Sequence, residues 1–184
     1  MKRTGIIIVA AIIVFGILLA NSYNNLIELE ENVDSAWAQV ENVLKRRADL
    51  IPNLVNTVKG YASHEEEVLT QITEARASFN RANTPNEYAE ANAQLERALS
   101  NLYVVVENYP ELKANENFSN LQYELAGTEN RISTERMRYN EAVQQYNTTI
   151  KRFPTNILAN LFGFEPKQYF EIEEEDRQVP EVNF

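Results

Sequence analysis

Apolar residues recur along this chain at steps of three and four, the period of helices with one face turned toward a core. From Leu26 the stripe runs through Leu29, Val33, Trp37, Val40, Leu44, Ile51, Val55 and Val58, with Arg47 and Ala48 in its one wide gap. Pro52 removes an amide and crowds the Ala48 carbonyl, so a kink or a restart is expected there; the unbroken register favours the kink. Gly60 is expected to end this helix. A second helix reads from Ser63, spaced from Glu66 as a capping box, along Val68, Ile72, Ala75 and Phe79. A third opens on Thr84, Pro85 and Glu87, carries Tyr88, Ala91, Leu95, Leu99, Leu102 and Val106, and ends before Pro110. A linker over Asn108 to Asn115 leads to a fourth, from Phe118 through Leu121, Leu125, Ile132, Tyr139, Val143, Tyr146 and Ile150 to Phe153, where Pro154 stops it.

Ahead of these helices lies a different pattern. Gly5 to Ala20 is an unbroken run of sixteen apolar residues, and no charge occurs between Arg3 and Glu28. With its polar flanks to Tyr23 the run reaches about 20 residues, or about 30 Å of helix, the thickness of a hydrocarbon core. A cleaved signal peptide would need a small residue where Leu18 stands, so an uncleaved anchor is the favoured reading. Lys2 and Arg3 precede the run, whereas Glu28, Glu30, Glu31 and Asp34 follow it before the first basic residue, Lys45. The positive-inside rule then places the N-terminus in the cytoplasm and the body outside. The expected architecture is all-α: a membrane anchor over 1–23, an antiparallel up-down-up-down four-helix bundle with two long helices over 24–164, and an acidic C-terminal tail over 165–184.

Composition narrows the chemistry. The chain has 184 residues, no cysteine and one histidine, which removes disulfides, thiolate metal sites and most histidine-based ones. Seventeen basic residues against 27 acidic ones give a net charge of −10, and the body is more acidic still because Lys2 and Arg3 precede the apolar run. Such a surface repels nucleic acid.

The runs RRADLIPNLVNTVKGYASHE (46–65), ENYPELKANENFSNLQYEL (107–125), TENRI (128–132), RMRYNEAVQQYN (136–147) and FPTNILA (153–159) resemble the LemA family. The likeness extends from about Tyr23 to Phe170, behind the N-terminal anchor typical of that family, and leaves the tail from Glu171 outside the shared pattern. It implies a bacterial single-pass membrane protein with a helical bundle. It supplies no mechanism, because the family's biochemical role is poorly defined.

Catalytic motifs are weak. His64-Glu65 starts like a zinc-protease helix, but Val68 stands where the second histidine belongs. No phosphate-binding glycine loop and no Gly-x-Ser-x-Gly occurs, and no metal or cofactor is expected. The informative cluster surrounds Pro52: Arg46, Arg47, Asp49 and Asn53, with Arg47 on the apolar stripe itself. A buried guanidinium needs a partner. On the fourth helix Glu129, Asn130, Arg131, Glu135 and Arg136 interrupt the stripe, and both stretches lie roughly 35 Å from the membrane end if the helices are antiparallel neighbours. The two could meet as a polar layer fixing helix register, or as a ligand or partner site. Asn140 and Asn147 are expected to bond between helices, and Trp37 and the helical tyrosines to be core. Ile157, Leu158, Leu161, Phe162 and Phe164 are expected to pack at the base of the bundle, because the segment lacks the basic residues of an interfacial helix; a second membrane contact is the alternative.

The functional expectation is a non-enzymatic binding or scaffold module at the bacterial envelope, held to the lipid bilayer through 5–23 and meeting a protein partner. The alternatives are a homo-oligomer clustering in the membrane and a hydrolase using the polar cluster.

Overall fold

The computed structural model describes residues 2–171, and of 2–5, 8–12 and 15 it describes the backbone alone. The described residues contain no strand. The helices are α1 (Lys2–Lys59), α2 (Glu66–Phe79), α3 (Pro85–Val106), α4 (Pro110–Lys113), α5 (Glu116–Lys151) and α6 (Thr155–Phe162). The apolar run and the first amphipathic stripe therefore form one continuous helix, which passes through Pro52 without a restart. Among the described residues no helix is long and apolar enough to cross a membrane. The anchor expected over 5–23 falls in part on side chains outside the described set.

The chain forms two compact units. One comprises Met1–Ala38 with Arg138–Lys167, the other Gln39–Met137 with the residues from Gln168 on. In the first, the buried apolar side chains are Leu26, Leu29 and Val33 of α1, Tyr139, Val143, Tyr146 and Ile150 of α5, and Leu158 and Ala159 of α6. Trp37, half-buried, packs on Tyr139 with ring centroids 5.2 Å apart. Asn147 does not bond to a neighbouring helix as expected. Its carboxamide pairs with both backbone groups of Lys167, at 2.8 and 2.9 Å, gripping the extended segment after α6. The Lys167 ammonium lies 2.8 Å from Glu30 and 5.9 Å from the centre of the Tyr146 ring. The start of the stretch read as an acidic C-terminal tail is thus tied down, because Lys167 finds carboxylates on α1 and a carboxamide on α5.

The core of the second unit collects Ile51, Leu54 and Val58 from α1, Leu69 and Ile72 from α2, Leu95 and Leu102 from α3, and Phe118 and Leu125 from α5. Helices α2 and α3 form a hairpin: Gln71 meets Asn101 at 3.2 Å, and farther along Phe79 meets Tyr88 edge-on at 5.2 Å. The expected cap on α3 is complete. Thr84 Oγ1 accepts from the Glu87 amide, and the Glu87 carboxylate accepts from the Thr84 amide. The capping box read at Ser63 does not form, and α2 starts three residues later at Glu66. The amides of Tyr61 and Ala62 both donate to the Val58 carbonyl, turning the chain so that Ala62 is buried. Glu65 takes the cap position without a side-chain cap, and its carboxylate accepts from the Tyr109 hydroxyl at 2.8 Å. The segment read as a linker contains α4, a single turn begun by Pro110 that buries Leu112.

Pro52 has a specific consequence. Lacking an N–H, it leaves the Ala48 carbonyl without its helical donor, and Arg76 of α2 donates its Nε–H to that oxygen at 3.2 Å. Replacing Arg76 with Ala is expected to cost about 1–2 kcal/mol, the worth of a charge-assisted hydrogen bond to a sheltered carbonyl. In a Pro52→Ala background the helix supplies its own donor, so the same substitution should cost clearly less. A double-mutant cycle by urea denaturation measures this coupling, and equal costs in both backgrounds would remove Arg76 as the substitute donor. In the first unit, burial and then the Asp34 charge push the Tyr139 phenol up to about 12 from the ordinary 10.0. The fold prefers the protonated phenol, so its contribution is intact below pH 10 and lost as pH rises toward 12. Tyr139→Phe, followed by thermal melts across that window, should flatten part of the alkaline decline.

Candidate functional site

Arg47 is placed by the α1 stripe at a core position, three residues after Leu44 and four before Ile51. Its side chain retains 5% exposure, so the guanidinium has left water almost completely. The cost of that desolvation is met from two other helices. Nη1 donates to Asn92 Oδ1 on α3 at 2.8 Å, to Glu96 Oε1 one turn along α3 at 3.4 Å, and to Glu129 Oε2 on α5. Asn92 in turn donates to Glu96 at 2.7 Å, which orients its oxygen toward the arginine. Nε is buried with no hydrogen-bond partner. The cluster borders a cavity of about 320 Å³ whose other lining residues are Leu99, Ser100, Tyr103, Leu125 and Ala126. Larger clefts, about 450 and 500 Å³, lie along α2 and the α2–α3 hairpin, and neither is lined by a buried charge.

Two carboxylates share one guanidinium here, so the charges do not cancel. Burial raises the Glu129 carboxyl above the ordinary carboxylate range, Arg47 opposes that rise and Glu96 adds to it. Burial likewise raises the Tyr103 phenol at the cavity wall, with Arg47 opposing it. The arrangement provides a polar centre held by three helices, bordered by apolar side chains. Among the described residues no group of three or more histidine or acidic side chains is placed to hold a metal ion.

Of the residues read from sequence, the structure brings Arg47 and Glu129 together. Arg46, Asp49 and Asn53 lie on the exposed side of α1, Asn130 and Arg131 are exposed on α5, and Arg136 is half-buried. These six do not join the Arg47 cluster. Helical geometry separates them: neighbours in sequence stand about 100° apart around the axis, so Arg46 cannot share the face of Arg47. The sequence reading missed Asn92 and Glu96. Asn92 had a usable signal, since it falls four residues after Tyr88 and three before Leu95, a polar residue on an apolar stripe like Arg47 itself. Glu96 had none, because glutamates on exposed helix faces are abundant in this chain. His64 is exposed in the turn before α2.

Arg47→Met is expected to lower stability by about 1–3 kcal/mol, since it leaves the buried Asn92 Oδ1 without its donor and two acids facing each other. The loss stays below that of a fully buried pair because Glu96 and Glu129 retain 41% and 42% side-chain exposure and can rehydrate. Without Arg47 the Glu129 carboxyl rises further. A carboxyl held above its unfolded value contributes stability that is full below the unfolded pKa and lost as pH rises through the folded one. The variant should therefore recover part of its deficit as pH falls through the carboxylate range. Denaturant midpoints of both proteins across that range test this, and a pH-independent deficit would separate the carboxylates from the effect.

Comparison with known proteins follows the same helical region. The chain is 26% identical over 192 aligned residues to magnetosome protein MamQ 2 of Paramagnetospirillum magneticum, covering 90% of this chain and 71% of that protein. It is 23% identical over 188 residues to magnetosome protein MamQ of Magnetospirillum gryphiswaldense, covering 88% and 69%. It is 24% identical over 173 residues to protein LemA of Metamycoplasma hominis, covering 92% and 79%. The LemA family profile matches residues 36–184, running past Phe170 into the acidic tail that the motif likeness had left outside. With that match spanning most of its length, the chain belongs to the LemA family.

Proposed function

We propose that this protein is a single-pass membrane protein of the bacterial envelope that acts by binding, presenting a helical body as a scaffold for a protein partner. The observation that carries this reading is α1. The uncharged run from Gly5 to Ala20 continues as the same helix into the stripe that supplies core residues from Leu26 onward. A span joined to the body without a linker holds the body close to the bilayer. The exposed apolar side chains Ile6, Ile7, Ile13, Val14, Ile17 and Leu18 support the anchor, since such a surface on a helix calls for an apolar environment. Lys2 and Arg3 at the start, with no basic residue after the run until Lys45, favour a cytoplasmic N-terminus with the body outside. The short connections at 60–65 and 80–84 favour helices that alternate up and down in a bundle. Binding is favoured over hydrolysis because Arg47 Nη1 is engaged by Asn92, Glu96 and Glu129 within the chain.

The absence of native cysteine makes topology directly measurable. Asn83 is exposed in the turn between α2 and α3. Asn83→Cys in the full chain is expected to react with a membrane-impermeant maleimide on intact cells. Labelling that requires lysis would place the body in the cytoplasm and reverse the orientation.

A further inference from the structure

Helix α6 is apolar on more than one side, a composition that belongs to a helix buried all round. Leu158 and Ala159 are buried, but Phe153 just before the helix is 81% exposed, and Ile157, Leu161 and Phe162 are 58%, 73% and 56% exposed. Of the group expected to pack, Leu158 is buried, whereas Ile157, Leu161 and Phe162 are exposed. Ile157 and Leu161 are spaced by four, so they share one side of α6, and Phe162 lies beside Leu161. Gly163, at φ 77°, ends the helix in the left-handed conformation and returns the chain toward α1.

The position of this face identifies its occupant. Phe162 and Phe164 both pack on Tyr23, with ring centroids 4.9 and 5.9 Å away. Tyr23 closes the uncharged run on α1, so α6 sits where that run ends, the level at which an anchored helix leaves hydrocarbon for water. Three aromatic rings gathered at that level match the belt that marks a membrane–water interface. Charge agrees: Lys151 and Arg152 are exposed immediately before Phe153, a cationic pair beside the apolar face as in helices that lie on lipid. The sequence reading looked for basic residues within the segment, and they stand at its edge.

We propose that the exposed face of α6, formed by Ile157, Leu161 and Phe162, lies with the exposed Phe153 ring before it in the interface of the bilayer that the N-terminal run enters, as a second membrane contact. The proposal rests on the anchor reading above, and one experiment separates the two. Single cysteines replace Val14, Ile157, Leu161 or Asn83 in the full chain, each labelled with an environment-sensitive fluorophore. The proteins are reconstituted into vesicles of mixed zwitterionic and anionic phospholipid carrying a nitroxide quencher either shallow or deep in the acyl chain. Labels at Ile157 and Leu161 are expected to be quenched most by the shallow nitroxide, about 5–10 Å below the headgroup boundary. The Val14 label is expected to be quenched most by the deep one and the Asn83 label by neither. Quenching at Val14 without quenching at Ile157 and Leu161 would overturn the α6 contact and leave the anchor standing. A blue-shifted but unquenched Ile157 label would assign the face to protein instead of lipid, and would also overturn it. No quenching at Val14, Ile157 or Leu161 would overturn both readings.

Discussion

A guanidinium on the apolar stripe of a helix has to be paired, and in this protein that requirement governs how three helices meet. The stripe of α1 places Arg47 among core side chains, and desolvation would make it intolerable alone. Asn92 and Glu96 from α3 and Glu129 from α5 supply its partners. Sliding either helix by one residue would carry those partners off the facing side, whereas apolar contacts would adjust. The hydrogen bonds thus set register where hydrophobic burial sets only proximity. Burial, with the Glu96 charge adding to it, keeps the Glu129 carboxyl raised even though Arg47 opposes the rise.

The same helix contains a second group that demands an answer. Pro52 leaves the Ala48 carbonyl open, one residue beyond Arg47, and Arg76 of α2 closes it. Adjacent positions on α1 therefore address different helices: Arg47 reaches α3 and α5, and Ala48 reaches α2. A proline that would be destabilising in an isolated helix becomes a docking point when a neighbour carries the missing donor.

In the other unit the comparable device is the Asn147 carboxamide, which holds the backbone of Lys167 while the ammonium of Lys167 reaches Glu30 on α1. One residue thereby joins the segment after α6 to both long helices. With α6 seated on Tyr23 at the end of the uncharged run, aromatic packing and this clamp account for how the chain beyond α5 is held. They also leave one face of α6 uncovered.

Much of this was legible in one dimension. Helix class, the α3 cap at Thr84 and Glu87, the start of α5 near Asn115, the continuity of α1 and the need of Arg47 for a partner all follow from periodicity, local hydrogen-bond chemistry and charge, which act over a few residues. Membership of the LemA family was legible too, in ordered motifs along most of the chain. What only the tertiary structure decided involves partners far apart in sequence. Glu96 differs from the other glutamates on α3 solely in what stands across from it. Ser63 lost its cap because burying Ala62 turned the chain first, and Asn147 met backbone instead of a helix because Lys167 folded back. Local patterns report which groups must be satisfied. Which distant group satisfies each is set by packing, since the free energy of one buried contact depends on every element that excludes water from it.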